Sequence, residues 1–505
     1  MKKVTQKCRG PQSKPKAEAE AEPKNGSSKK AKRVARANAG VVNGDALRES
    51  VTWVVKDKSF RNISRHGNTK WIVGHLVILA VLWVWSDQST LTGRFTEAHA
   101  WSLKMLSQAA VSTYQGLTGA LASATEVLLP LLWGRLHFLM EQHGGAHWRV
   151  AGWLPLAVDG SRIGTPRTAA NERAFCAPNY GRSAQAKSRA KQRRRQGKPQ
   201  RKQKSQPAQP QIWLTLMWHM GLRLPWCWRS GPSHSSERAH FQDMLKTQTF
   251  PDKTLFCGDA GFVGYDLWQS IAAQGHHFLM RVGSNVTLLR KLGYAKESYG
   301  IVYCWPNKAA SKRQLPLRLR LVSLKLGRTP IYLVTNVLSE QALSDAAICQ
   351  LYKLRWGIEV QFRTLKQTFG RCQLLSRTPD RALRELDWSL LGLWMIQLFA
   401  LKAQGPLGLP PSRSSPAQAI RAIRTAFHEW SEVPQKGSSL KSKLQQSLTD
   451  TYSRTKKSKQ ARYRPANKDK PHAGKPKVLN ATQQQKRQLK QIEQLQQQQQ
   501  LTQTK

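Results

Sequence analysis

Acidic residues are scarce in this chain. Its 505 residues carry 81 Lys+Arg against 29 Asp+Glu, a formal net charge of +52. A chain so one-sided repels itself, and the excess is tolerated best when the usual partner is a polyanion. Phosphate backbones are the common case and give tight, salt-sensitive binding. A ribosome-associated or aggregation-resistant basic protein would share the excess, so charge narrows the class without fixing it. Paired cysteines are missing too. The seven (Cys8, Cys176, Cys227, Cys257, Cys304, Cys349, Cys372) are scattered and include no C-x-x-C. That excludes a disulfide framework and a zinc finger, and fits reduced thiols in a cytoplasmic protein. No apolar run is long enough to span a bilayer. The strongest, Trp71 to Trp85 (WIVGHLVILAVLWVW), falls short of about 20 residues and contains His75. It also lies too far from the N-terminus for a signal peptide, so a buried helix and no membrane partner are expected. Glycine-arginine repeats and aromatic-rich recognition strands, the marks of many RNA binders, are absent as well.

What is present suggests several domains and a sizeable core, with 40% apolar residues and 18 Trp. Residues 1–50, rich in Lys, Ala, Gly and Ser, read as a disordered basic tail. From 51 to 150 the apolar residues recur at helical spacing, which predicts a helical N-terminal domain. Such a domain is a natural place for DNA-end binding, although no helix-turn-helix stands out. At Trp153 the pattern changes to strands: WLPLAVDGSRIG, Ile212–His219, Leu224–Arg229, TLFCGDAG (Thr254–Gly261) and His276–Val282. Ser235 or Ser236 is placed to cap a helix before the fourth of these. Residues 151–283 therefore read as an α/β core. They are interrupted at 185–210 by a very basic loop that would grip DNA without reading bases. Hairpin-like strands separated by Gly, Pro and Asn make 284–343 a β-rich insertion, and 344–405 hold two helices, Asp345 to Phe369 and Leu383 to Ala403. Residues 406–505, rich in Pro, Ser, Lys and Gln, are expected to be a second disordered tail.

Three acids stand out by position. Asp159 and Asp259 end central strands, and Glu359 lies on the first of the two late helices. Two strand-borne carboxylates and one from a helix packed across the sheet can converge on two metal ions. Two ions about 3.5–4 Å apart can activate a water or hydroxyl and stabilise the leaving oxygen of an in-line phosphoryl transfer. Hard carboxylate oxygens suit Mg2+ or Mn2+. Each acid alone has a plain structural reading, as a turn cap or a solvated helix residue; it is their order and placement in a basic chain that point to chemistry. On the helix, Tyr352, Arg355, Glu359 and Lys366 fall within an arc of roughly 60° at about 100° per residue, beside an apolar seam of Leu351, Leu354, Ile358, Phe362 and Leu365. Arg355 and Glu359 are also an ordinary i, i+4 pair. In the functional reading, Arg355 and Lys366 hold phosphates, Tyr352 donates to a phosphate oxygen and Glu359 binds metal.

The spacing Y-x2-R-x3-E-x6-K, complete here as Tyr352, Arg355, Glu359 and Lys366, resembles the signature of the bacterial insertion-sequence DDE transposases of the IS-four group. The flanks LVTN, RWGIE, DG at Asp159–Gly160 and GDAGF at Gly258–Phe262 are similar to that family as well, over about residues 150–400. The resemblance implies an RNase H-like core with a β-rich insertion before its last acidic helix. It implies cut-and-paste transposition: metal-dependent nicking of each transposon end, often through a hairpin, then strand transfer by the freed 3′-hydroxyl into target DNA. The partners it implies are the terminal repeats and target DNA on the bacterial nucleoid, held by a protein homodimer in a synaptic complex.

In relatives the insertion supplies an aromatic that stacks on a flipped base, a role for which Trp305 in IVYCWPNK is the candidate beside its plainer reading as a packing residue. Arg162 and Arg167 could contact the DNA backbone or solvate a loop. His219 and His234 lack a second ligand at metal spacing, and Glu237 reads as a first-turn acid favoured by the helix dipole. An RNase H-like nuclease without strand transfer and a non-catalytic or repurposed DNA-binding protein remain the rival readings.

Overall fold

The computed structural model describes residues 39–176, 209–293, 300–325, 330–431, 439–449 and 474–503, apart from 61–62, 64–70, 107 and 109, together with isolated positions at 192 and 195–197. The basic loop at 185–210 lies almost wholly outside them.

Among the described residues four helices lead: α1 (Ala39–Val54), α2 (Val73–Trp85), α3 (Leu91–Met105) and α4 (Tyr114–Gly144). Thr90 and Thr113 cap the last two, their hydroxyls accepting from Gly93 N and Gly116 N at 3.0 Å. Every residue of α2 except His75 is buried, so its unbroken apolar run is core rather than a lipid-facing surface. Two other helices are long and apolar enough to cross a membrane by composition, α4 and a late helix at Pro379–Gln404, and the apolar stretch of the latter is 89% buried inside the protein.

A single mixed sheet follows, built from β1 (Leu154–Gly164), β2 (Gln211–His219), β3 (Leu224–Pro232), β4 (Thr254–Gly258), β5 (His277–Val282), β6 (Thr287–Arg290), β7 (Ile301–Cys304), β8 (Leu317–Lys325), β9 (Pro330–Thr335) and β10 (Lys477–Asn480). Its order is β10-β6-β7-β8-β9-β5-β4-β1-β2-β3. β1, β2 and β3 form an antiparallel meander, while β4 runs parallel to β1 and β5 parallel to β4. That five-strand arrangement, with helices between strands, is an α/β core of RNase H-like type. The strands between β5 and the acidic helix do not form a separate body. β9 pairs with β5 antiparallel, so they prolong the same sheet.

The helices of the core are α5 (Ala169–Phe175), α6 (Glu237–Thr247) and α7 (Tyr265–Ala273), with short α8 (Asn307–Ser311) beyond β7. Ser236 is the residue that caps α6. The helix expected over Asp345 to Phe369 is broken. α9 (Asp345–Arg355) stops at Trp356, α10 (Gly357–Arg363) resumes, and a π-helical turn covers Thr364–Thr368. α11 (Pro379–Gln404) is the hub on which α2, α4, β3 and two later helices pack. Gly392 lets α2 come close, since a Cβ there would stand 2.7 Å from Val84, and Trp85 Nε1 donates to Gly392 O at 2.8 Å.

The C-terminal region departs from its composition. Residues 406–505 are not wholly without structure: α12 (Pro416–Ser431), α13 (Leu440–Gln445), β10 and α14 (Gln483–Gln503) are all formed. Few apolar residues suffice because they fall at helical spacing. Ile420, Ile423 and Phe427 are buried on α12, where Phe427 stacks on Trp101 at 3.9 Å, and Leu489 and Ile492 are buried on α14. At the other end, helix begins at Ala39, inside the segment expected to be tail.

Candidate active site

The parallel ladder between β1 and β4 ends at Ala157 opposite Cys257. Asp159 and Asp259 each lie two residues further along their strands, so equal offsets bring them to one level. Asp259 follows the end of β4, as expected. Asp159 does not end its strand: β1 runs on to Gly164, paired with β2 throughout and bridged to Gln373 at Gly164, and Asp159 opposes Leu216. Asp159 stands just past the point at which β1 loses its neighbour β4.

Each aspartate is held by its own turn. Gly160 N donates to Asp159 Oδ1 at 2.9 Å, and Gly261 N donates to Asp259 Oδ1 at 2.7 Å. α9 packs on β4 and α10 on β1, so the broken helix crosses both acid-bearing strands. Gly357 permits this approach, because a Cβ there would overlap the ring of Trp218 on β2. Glu359, two residues on, is exposed on the side of Asp159.

The acids act on one another electrostatically. Burial pushes Asp159 up to about 6; Asp259 and Glu359 add to the rise, while Gly160 N–H and Arg355 oppose it. A fourth acid is present. Glu237, in the first turn of α6, is pushed up to about 7 by burial and then by Asp159 and Asp259. Its carboxylate lies over Gly160 and near Gly261, whose ideal Cβ positions fall 2.8 Å from Glu237 Cδ and 3.6 Å from Oε2. The helix-dipole reading of Glu237 was therefore incomplete. The signal that could have found it is the pair of glycines beside the two aspartates, which leave room for a third carboxylate.

The helix signature divides differently from a single polar stripe. Tyr352 and Arg355 are buried, at 0% and 4% exposure, while Glu359 faces outward. The break at Trp356 separates them. Arg355 forms no ion pair with Glu359 among the described residues; its guanidinium lies 5.4 Å from the Tyr352 ring and 5.3 Å from the Trp356 ring, under Asp159. Neither the Tyr352 hydroxyl nor Arg355 Nε makes a hydrogen bond of good geometry, and Arg281 of β5 lies near the tyrosine. Lys366, in the π-helical turn, donates to Ser161 Oγ at 2.6 Å and thus lies beside β1. Arg162 is exposed and stacks on Trp213 at 4.6 Å, near Glu237. Trp305 is not available at a surface: it is 4% exposed, and its indole N–H donates to Gln314 O at 2.8 Å. The packing reading describes this placement, which presents no exposed face of the ring for a base. The exposed aromatic near the acids is Trp356, at 51% exposure.

The residues fit a divalent cation by donor type and charge: hard carboxylate oxygens crowded together, two of them with raised pKa values, which a cation would relieve. Among the described residues no three His, Cys, Asp or Glu side chains are already closed around one point.

Residues 155–395 match the family model of the transposase DDE domain, a span that includes all four acids. The transposase InsG for insertion sequence element IS4 of Escherichia coli (strain K12) is 27% identical over 259 residues, 48% of this chain and 51% of that protein. The chain thus spans about half the length of the curated relative it matches. A cryo-EM structure of the piggyBac transposase synaptic complex with hairpin DNA superposes with a TM-score of 0.37 at 11% identity, covering 83% of this chain and 88% of that one. By the family match and the acids within it, residues 155–395 are similar to a transposase DDE domain.

Proposed function

We propose that the chain is a DDE transposase that cleaves transposon ends and joins them to target DNA, working with two Mg2+ or Mn2+ ions. The observation that carries the proposal is the equal register of Asp159 and Asp259 on adjacent parallel strands, with a helix laid across both strands to bring Glu359 in. Asp159, Asp259 and Glu359 would hold the ions. Bound divalent ions supply activation of the attacking water or 3′-hydroxyl and neutralise charge on the leaving oxygen.

The chain's own residues do the rest. The N–H groups of Gly160 and Gly261 fix one oxygen of each aspartate, and the other would be available to hold an ion. Arg355 underlies Asp159 and favours its ionised form. Lys366 presents a cation beside β1, where a scissile-strand phosphate would lie, and exposed Arg162 extends that basic rim. Trp356 offers a face on which an unpaired base can stack. The net charge of +52 supplies sequence-independent grip on the duplex, and the helical N-terminal region is the proposed reader of the terminal repeats. A homodimer pairing both ends on nucleoid DNA completes the proposal.

The test is strand cleavage of DNA flanking the gene, with Mg2+ or Mn2+, comparing wild type with Asp159→Asn and Glu359→Gln. Nicking at discrete positions, lost in both variants while DNA binding persists, is expected. Binding without metal-dependent cutting would replace the proposal with a non-catalytic DNA-binding protein. Cutting without joining to a target plasmid would leave an RNase H-like nuclease.

A further inference from the structure

We infer that Glu237 is a fourth carboxylate of the metal-holding set, delivered by α6 rather than by the strands or the acidic helix. The inference rests on the metal reading above and adds a residue to it.

Three observations carry it. First, the Glu237 carboxylate occupies the space left by two missing side chains. A Cβ at Gly160 would lie 2.8 Å from both Cγ and Cδ of Glu237, and one at Gly261 would lie 2.9 Å from Asp259 Oδ1 and 3.6 Å from Glu237 Oε2. The carboxylate is therefore wedged between the turns that carry Asp159 and Asp259. Second, it has no competing engagement. Among the described residues Glu237 makes no ion pair. The two nearby arginines are turned elsewhere, Arg162 onto the Trp213 ring at 4.6 Å and Arg238 Nε onto Gly261 O at 2.8 Å. Third, it is half-buried and placed against two like charges. An acid held against two other acids, with its nearest cations committed to other groups, is unfavourable unless a cation joins them.

The position also divides labour within the set. Asp159, Asp259 and Glu237 are fixed by the sheet and by α6, whereas Glu359 arrives on a helix that breaks next to it. Glu237 would then retain one ion on the Asp159–Asp259 side whether or not Glu359 has closed.

The experiment is Mn2+ binding to the full-length protein, read by calorimetry and by the electron paramagnetic resonance of free ion. Wild type is compared with Glu237→Gln, Gly160→Ala and Asp159→Asn. Gly160→Ala displaces the Glu237 carboxylate without altering any acid. Both Glu237→Gln and Gly160→Ala are expected to weaken Mn2+ binding by about tenfold or more, with cooperative unfolding retained. The double variant should be no weaker than either. Unchanged or tighter binding in Glu237→Gln overturns the inference. If that variant does not fold, Glu237→Asp, which keeps the charge but withdraws it by one methylene, decides by the same measure. Binding lost in Asp159→Asn yet intact in Glu237→Gln sinks the role of Glu237 alone, whereas no Mn2+ binding by wild type sinks the metal reading with it.

Discussion

Lys366 and Ser161 meet at 2.6 Å across 205 positions of sequence, tying the π-helical turn after the acidic helix to the strand that carries Asp159. A π turn is wider than an α turn and re-aims the side chains within it. Here it directs Lys366 onto β1, two residues from Asp159, in surroundings whose burial lowers the lysine pKa. Lys366→Ala is expected to abolish most end cleavage and to reduce the salt dependence of DNA binding by about one unit of log–log slope, as loss of one phosphate contact should. Ser161→Ala removes the tether but not the charge. It should leave the slope unchanged and slow cleavage by about two- to fivefold, the worth of one ordinary hydrogen bond. Equal slopes for wild type and Lys366→Ala would show that the lysine touches no phosphate.

Gly357→Ala tests how the acidic helix is seated. The new methyl would press on the buried Trp218 ring, which cannot move aside as a flexible side-chain end would. Overpacking of this kind costs about 1–3 kcal/mol, and relief by lifting α10 carries Glu359 away from the aspartates. A lowered melting temperature together with lost cleavage is expected. Full activity with lowered stability would mean that Glu359 tolerates displacement.

The two tryptophans make a contrasting pair. Trp356→Ala should weaken binding to DNA with unpaired ends while leaving thermal stability within about 0.5 kcal/mol, as for an exposed side chain. Trp305→Ala should destabilise the fold by about 3–5 kcal/mol, as for a buried aromatic, and affect DNA in proportion. The reverse pattern would restore Trp305 as the stacking residue.

Raised carboxyl pKa values fix the sign of a pH effect. Asp159 is raised from an ordinary 3.8 to about 6, facing Asp259, Glu359 and Arg355; Glu237 is raised from 4.5 to about 7, facing Asp159, Asp259, Arg162 and Arg238. The folded state then holds protons that the unfolded chain has released, so these groups disfavour folding increasingly as pH rises from the ordinary carboxylate range through 6 to 7. Without metal, the melting temperature of wild type should fall between pH 5 and 8 by roughly 2–6 °C relative to the Asp159→Asn, Glu237→Gln double variant. Added Mn2+ should close that gap. A gap of opposite sign would mean that the acids are already compensated within the protein.

Much of this was legible in the sequence because it depended on local pattern. The apolar runs before Asp159 and Asp259 announced buried strands, and the spacing from Tyr352 to Lys366 announced a helix laid against them. What could not be read was where regular geometry fails. The break at Trp356 turns Tyr352 and Arg355 inward and Glu359 outward, and the π turn redirects Lys366; a helical wheel assumes neither. Glu237 was hidden for a different reason. Its carboxylate reaches the aspartates through the packing of α6 on β1, a tertiary relationship with no fixed sequence offset. The C-terminal region misled through composition, because abundant Gln and Lys masked the spacing of a few apolar residues.

The last strand has a protective consequence. β10 lies parallel to β6 through Lys477–Asn480 opposite Thr287–Arg290, at the far margin of the sheet from β3. An uncovered margin presents a row of unpaired N–H and C=O groups, a template on which other chains can assemble. Here β10 covers the edge of β6, and Leu489 and Ile492 of the glutamine-rich α14 are packed inward. Removing this low-complexity segment would uncover the edge of β6, several strands away from the acids. Truncation after residue 473 should leave the acids in place yet raise light scattering at concentrations where the intact chain stays clear.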